Sequence, residues 1–123
     1  MQWLAVAVGG ALGAMARFGV NALAFPVFGE RLPLGTLIAN VSGAFLMGVF
    51  YVLIIERGLL PTEWRNIVMV GFLGAFTTFS TFSLETLALW QNGHFAMSIS
   101  YSVGSLILCL AATLGAIYLA RLI

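Results

Sequence analysis

Charged side chains are scarce in this 123-residue sequence: only 7% of its residues are charged, and it contains neither lysine nor aspartate. Soluble domains carry about 25% charged residues, so the composition excludes an ordinary soluble protein. The formal net charge of +1, without any run of basic residues, also excludes a nucleic-acid-binding protein. The chain is instead 62% hydrophobic, which indicates a protein embedded in a lipid bilayer.

Cysteine and histidine are even rarer. Cys109 is the single cysteine and His94 the single histidine. One chain therefore has no disulfide framework, no thiolate metal site and no serine–histidine pair. The four glutamates are spread along the chain and form no cluster. We expect no hydrolytic or transition-metal chemistry, and no enzyme activity.

Charged residues and Gly/Pro positions divide the chain into four apolar blocks. The blocks cover about residues 3–25, 33–55, 66–91 and 95–120. Each is close to the ~20 residues that a helix needs to cross a bilayer. The first block lacks a basic start and contains Arg17, which favours a retained span over a cleaved signal peptide. We predict an all-α membrane protein with a single four-helix transmembrane domain over 1–123, in which short connections make consecutive spans antiparallel neighbours.

The arginines specify the orientation of the chain only weakly. With four spans, Arg57, Arg65 and Arg121 fall on the side of the N-terminus and Arg31 on the other. This bias favours a cytoplasmic N-terminus, but it is small enough to permit insertion both ways round. Four helices of this length do not surround a wide pore, so we expect any conduction path to need a second copy of the chain.

The third apolar block contains an unusual run, GFLGAFTTFSTFS at residues 71–83. Polar groups at membrane depth are tolerated where they face protein or line a water-filled path. Gly74 and the threonines that follow it predict a local helix break, where the Gly74 and Thr77 carbonyls lose their helical partners and can hold a cation. The alternative is an intact helix whose threonines bond back to the preceding turn. The five hydroxyls of the run belong to Thr77, Thr78, Ser80, Thr81 and Ser83.

Phenylalanines are interleaved with these hydroxyls, at Phe76, Phe79 and Phe82. Aromatic rings three residues apart usually pack between helices, and that is one interpretation. The positive edge of an aromatic ring offers a second one. In this second interpretation the rings line a path for a small anion, and they bind the anion less tightly than a full charge would.

Two lines of polar residues repeat at every fourth position. One of the lines contains an ionisable side chain, Glu85, and an ionisable group within a span indicates a functional site by default. The two lines therefore predict a hydrated track. Hydrogen bonding between helices is the alternative. The third span carries Thr77, Thr81 and Glu85 on one face, and the fourth carries Tyr101, Ser105, Cys109 and Thr113.

Other candidate residues lie in the first two spans. Arg17 can attract anions into a vestibule or extend toward the interface. Asn40 offers two amide donors, which can replace water around an anion or bond a neighbouring helix. Small residues four positions apart predict close helix contacts; the pairs are Gly9–Gly13, Ala39–Gly43 and Gly71–Ala75.

These residues together resemble the fluoride channel family known as Fluc or CrcB, over nearly the whole chain. GGALGAMAR at 9–17 is similar to the first-helix motif of that family and GTLIAN at 35–40 to its second-helix motif. GFLGAFTTFSTF at 71–82 is similar to its third-helix motif, the most specific of the three. The resemblance implies passive, fluoride-specific export across the bacterial inner membrane, which reduces fluoride toxicity.

The resemblance further implies an antiparallel, dual-topology homodimer with two fluoride pathways along the subunit interface. It implies a structural Na⁺ at the dimer centre, held by backbone carbonyls of a broken third helix that match Gly74 and Thr77. Cys109 departs from the family pattern, because a hydroxyl is usual at its position and a thiol is a weak donor. The implied fluoride pathway matches Arg17, Thr36, Asn40, Phe79, Phe82 and a polar track of Thr81, Glu85, Tyr101, Ser105 and Thr113.

Two other functions fit a small four-helix membrane chain. A multidrug/proton exporter shares the size and the dual topology, but it depends on an acidic residue in the first span to bind cationic drugs. This sequence has Arg17 there instead. A scaffold subunit is the other alternative, and it predicts no ion flux at all.

Overall fold

The computed structural model describes residues 1–28 and 32–123, and every regular element in that part of the chain is helical. The expected all-α architecture with four membrane-capable helices is confirmed. Arg31, which entered the orientation argument, lies outside the described residues. The four helices long and apolar enough to cross a membrane are Gln2–Val27, Leu34–Glu56, Arg65–Gln91 and Phe95–Arg121.

Each span is built from one or more helical elements. Helix α1 covers Gln2–Phe28, α2 covers Leu34–Phe50, and α5 covers Phe95–Arg121. Two stretches of wide π-helical turns, π1 (Tyr51–Glu56) and π2 (Arg65–Leu73), extend the second span and open the third. The third span continues with α3 (Gly74–Phe76) and α4 (Phe79–Gln91). The π-helical turns were not predicted; such turns are rare and often occur near functional sites.

The first helix runs past Pro26, although the sequence predicts an end before this residue. Pro26 lies in the last turn of α1, which reaches Phe28. A proline ring removes one backbone N–H but holds φ close to the helical value. The prediction was wrong at this boundary, because one missing hydrogen bond in a last turn does not end the helix.

The most extensive packing joins spans that are not consecutive in sequence. Helix α1 packs chiefly against π2, and α2 packs chiefly against α5. Within the third span, α3 lies against α1 whereas α4 lies against α5. Consecutive spans also touch, as the short connections predict, but those contacts are the smaller part of the bundle. The third span therefore changes its main neighbour between α3 and α4.

Small residues bring the helix backbones together where the sequence predicts contacts. A Cβ atom at Gly9 or Gly13 would overlap backbone carbonyl oxygens of π2, and one at Gly71 would press on the backbone of α1. A Cβ atom at Gly43 would overlap the methyl group of Thr77. These contacts hold α1 close to π2, and they hold α2 close to the third span at Thr77, where α3 ends.

Candidate functional site

The backbone between α3 and α4 is extended. Helix α3 ends at Phe76, Thr77 has φ −85° and ψ 157°, and Thr78 has φ −151° and ψ 124°. Helical conformation resumes at Phe79. The two residues, called the 77–78 segment below, thus separate the two helical parts of the third span.

The amide of Asn40 bonds both sides of one residue in this segment. The backbone N–H of Thr78 donates to Asn40 Oδ1 at 2.7 Å, and Asn40 Nδ2 donates to the Thr78 carbonyl at 3.0 Å. The predicted bond from Asn40 to a neighbouring span is therefore present, although it reaches backbone and not a side chain. An amide nitrogen carries two N–H donors, so the second N–H of Asn40 can still donate to an anion. The place of Asn40 in the fluoride pathway stays a prediction.

Backbone carbonyls are left without helical donors at the 77–78 segment. The Thr77 N–H and the Thr77 hydroxyl both donate to the Leu73 carbonyl, at 3.1 and 2.9 Å. Thr77 thus bonds back to the preceding turn, as the alternative reading of this run anticipates, but the helix does not continue. Among the described residues no backbone hydrogen bond reaches the carbonyls of Gly74 and Thr77.

These free carbonyls suit a hard, monovalent cation. Neutral carbonyl oxygen without carboxylate is a weak donor set for Ca²⁺ or Mg²⁺ and a better one for an ion of single charge. Among the described residues no group of three His, Cys, Asp or Glu side chains offers another metal site. The chemistry of Gly74 and Thr77 therefore fits the Na⁺ that the resemblance implies.

An open groove of about 360 Å³ lies beside the 77–78 segment, between α2, α4 and α5. Among the described residues no charged side chain lines it, so its polar lining is made of neutral groups. Of the ten residues predicted for the fluoride pathway, five contribute to its wall: Asn40, Phe79, Phe82, Ser105 and Thr113. Five lie outside the wall: Arg17, Thr36, Thr81, Glu85 and Tyr101.

Two of the three phenylalanines line this groove. The ring centroids of Phe79 and Phe82 are 5.6 Å apart, and the Phe82 ring lies 5.3 Å from the Tyr101 ring. Phe79 is 78% exposed in the single chain. Phe76 instead is buried and stacks on Phe72 at 5.8 Å, so its role is helix packing.

A cluster of polar side chains adjoins the groove behind the Phe82 ring. The Tyr101 hydroxyl donates to Glu85 Oε1 at 3.1 Å. Thr36 is 1% exposed and lies close to both groups, and among the described residues its hydroxyl makes no hydrogen bond of ordinary geometry. A buried hydroxyl without a partner is uncommon. Thr36, Glu85 and Tyr101 are therefore brought together, as the predicted track requires.

The polar line on α5 serves two purposes. Ser105 lines the groove and is 5% exposed, and its hydroxyl has no hydrogen-bond partner in the part of the chain that the structure describes. Thr113 donates to the Ala44 carbonyl at 3.0 Å and to the Cys109 carbonyl at 3.1 Å, so it also joins α5 to α2. Cys109 is half-buried in the groove wall between them.

Arg17 reaches from α1 to the start of α4. Its Nη1 lies 3.5 Å from Thr81 Oγ1, a long contact between half-buried side chains. The Asn21 side chain donates to the Arg17 carbonyl at 3.2 Å. Arg17 and Thr81 are thus paired with each other at one side of the 77–78 segment, away from the groove wall.

Sequence reasoning missed several residues of the groove wall. Gly43, Ala44, Met47 and Leu106 line it although nothing in their type signals a site. Thr78 also lines it, and its hydroxyl accepts a hydrogen bond from the Thr81 N–H at 3.2 Å, which caps α4. The position of Thr78 just before a helical stretch is a capping signal that the sequence does carry.

Four helices long and apolar enough to cross a membrane, with a groove of neutral polar groups between them, define a multi-pass membrane protein. A family model described as CrcB-like protein, Camphor Resistance (CrcB), matches residues 4–117. The chain therefore belongs to the CrcB family, as the sequence motifs indicated.

Curated relatives with the same printed name, Fluoride-specific ion channel FluC, are similar to the chain along almost all of its length. The relative from Saccharophagus degradans is 55% identical over 117 residues, which cover 95% of this chain and 87% of the relative. The one from Methylococcus capsulatus is 51% identical over 99% of this chain and 54% of its own length. The one from Hahella chejuensis is 47% identical over 96% of this chain and 93% of the relative.

Proposed function

We propose that the chain forms a fluoride-specific channel that passively exports fluoride across the bacterial inner membrane and so reduces fluoride toxicity. One observation carries the proposal: the groove places the Phe79 and Phe82 rings beside the polar groups of Asn40, Ser105 and Thr113. The printed names of its relatives agree with this function.

The groove has the chemistry that a small, strongly hydrated anion requires. Amide and hydroxyl donors replace part of the hydration shell, and ring edges contribute a weak positive potential. Because the described part of the chain places no charged side chain in the groove wall, a bound anion is not trapped. Conduction needs binding that is strong enough to admit the ion and weak enough to release it.

The proposed channel is an antiparallel, dual-topology homodimer. The groove is open on one side in the single chain, and a second copy would close it and cover the exposed Phe79 ring. The weak arginine bias permits insertion in both orientations. Two-fold symmetry would bring two 77–78 segments together, with the Gly74 and Thr77 carbonyls of each chain supplying four oxygens to a structural Na⁺.

A flux measurement on purified protein in liposomes tests the proposal. Vesicles loaded with fluoride are expected to release it rapidly and with a matching electrical current, whereas vesicles loaded with chloride retain their anion. Vesicles without protein provide the background rate. Proton flux coupled to a cationic drug would instead favour the small multidrug exporter, and no flux of any kind would favour a scaffold subunit.

Cys109 allows a second test of the groove as the pathway, because it is the single cysteine and lines the groove. Modification with methyl methanethiosulfonate is expected to slow fluoride flux about tenfold or more, since the added group narrows a path that a nearly dehydrated ion must fit. Mass spectrometry gives the extent of modification, and liposome efflux gives the rate.

The matched control for this test is Cys109→Ser. Serine keeps a hydrogen-bonding group at this place in the wall, so the untreated variant should conduct and the reagent should not slow it. Full modification of the wild-type thiol with an unchanged flux would contradict the assignment of this groove to the pathway.

A further inference from the structure

Two backbone N–H groups near the 77–78 segment donate to side chains and not to the carbonyls that a continuous helix would give them. In an α-helix each N–H donates to the carbonyl four residues earlier. That rule would send the Thr78 N–H to the Gly74 carbonyl and the Thr81 N–H to the Thr77 carbonyl. Instead the Thr78 N–H donates to Asn40 Oδ1 at 2.7 Å, and the Thr81 N–H donates to Thr78 Oγ1 at 3.2 Å. The two carbonyls released in this way are the two proposed cation ligands.

We propose that Asn40 and Thr78 are the positioning residues of the cation site. Their side chains hold the two N–H groups that would otherwise occupy the Gly74 and Thr77 carbonyls. The inference rests on the proposed function, whose cation it concerns. It gives Asn40 a task that is separate from any contact with fluoride.

The surroundings of the 77–78 segment keep this arrangement in place. Asn40 also donates to the Thr78 carbonyl at 3.0 Å, so its amide is held at both of its ends. One turn further along α2, Gly43 has no side chain to keep the Thr77 methyl group away. The α2 backbone can therefore approach the segment closely enough for the Asn40 amide to reach it.

Because the Thr78 and Thr81 N–H groups donate to side chains, the Gly74 and Thr77 carbonyls need another partner. At membrane depth no bulk water is present to hydrogen-bond an exposed carbonyl, so a bound cation is a favourable partner. Gly74 begins α3, the last helical turn before the 77–78 segment, and Thr77 directly follows that turn, so both carbonyls lie at the C-terminal end of this helical stretch. The helix dipole places partial negative charge at that end, which further favours a cation.

Na⁺-dependent thermal unfolding of the purified protein in detergent tests the proposal. Na⁺ is varied against N-methylglucamine at constant ionic strength. A cation that binds the folded state raises the unfolding midpoint with its concentration, and the wild-type protein should show this rise. In Asn40→Leu and in Thr78→Val an N–H is released to the carbonyl. The Na⁺ concentration for half-maximal stabilisation should then increase about tenfold, the factor that one hydrogen bond of ordinary strength supplies.

Two further variants separate positioning from general damage. Thr78→Ser keeps the hydroxyl acceptor for the Thr81 N–H, so it should retain the wild-type response to Na⁺. Ser42→Ala is the matched control on α2, because the Ser42 hydroxyl bonds to the Ile38 carbonyl of its own helix at 2.6 Å. Its response should also equal that of the wild type.

The outcomes distinguish this inference from the proposed function. If Asn40→Leu and Thr78→Val unfold at lower temperature but respond to Na⁺ as the wild type does, the positioning role is wrong and the cation site stands. If the wild type does not respond to Na⁺, the cation site and its positioning residues are both wrong, while fluoride flux remains a separate measurement. Should Asn40→Leu fail to fold, the comparison of Thr78→Val with Thr78→Ser decides.

Discussion

Replacing Phe79 or Phe82 with isoleucine is expected to slow fluoride flux by at least about 100-fold, a barrier increase of ~2.7 kcal/mol. Both rings line the groove, and their centroids are 5.6 Å apart. Isoleucine is apolar and of comparable bulk, but it has no aromatic quadrupole and so presents no positive edge to an anion. The rate of fluoride efflux from liposomes, measured with equal amounts of reconstituted protein, gives the effect.

Phe18→Ile is the matched control for this experiment. Phe18 is 78% exposed in the single chain, as Phe79 is, but it lies on α1 and does not line the groove. Its replacement should leave the efflux rate within about twofold of the wild type, because Phe18 lies outside the groove that fluoride is proposed to follow. Equal rates in the wild type, Phe79→Ile and Phe82→Ile would show that the rings do not line the path.

Replacing Gly13 with alanine is expected to destabilise the folded protein by about 1–3 kcal/mol, the usual range for an overpacked contact. The new methyl group would overlap the Phe72 carbonyl oxygen, which belongs to the backbone of π2 and can move only with that segment. Alanine stabilises a helix by about 1 kcal/mol relative to glycine. The measured loss of unfolding free energy is therefore the cost of the overlap minus this gain. Thermal unfolding in detergent provides the measurement.

Gly19→Ala separates packing from helix propensity in the same helix. No atom lies within 4 Å of the place where its Cβ would stand. Only propensity acts there, so this variant should be as stable as the wild type or more stable by up to about 1 kcal/mol. If Gly13→Ala and Gly19→Ala are equally stable, close contact between α1 and π2 does not hold the bundle.

The number of helices and their small-residue contacts were predictable from local signals. Charges and Gly/Pro positions interrupt the apolar blocks, and a block of ~20 apolar residues is sufficient evidence for a spanning helix. Gly9 and Gly13 indicated a close contact because helix backbones in lipid approach where side chains are small. Spacing along one helix carries this kind of information.

The partners of these helices were not predictable in the same way. The bond between Asn40 and Thr78 joins residues 38 positions apart, and no local pattern specifies which backbone group an amide will reach. The packing of α1 on π2 and the π-helical turns depend on how whole helices fit together. Periodicity predicted that Ser105 and Thr113 share one face of α5, and both line the groove, whereas the pairing of Arg17 with Thr81 depends on the fold.

The pairing of helices that are distant in the sequence has a consequence for the synthesis of the chain. Helix α1 has its principal partner in π2, and α2 has its principal partner in α5. Helix α1 must therefore stay in the membrane without its main contact until the third span has been made, and α2 must do so until α5 has been made. Individual helices can insert before they associate, so the newly made chain should be vulnerable to degradation until its final residues leave the insertion machinery.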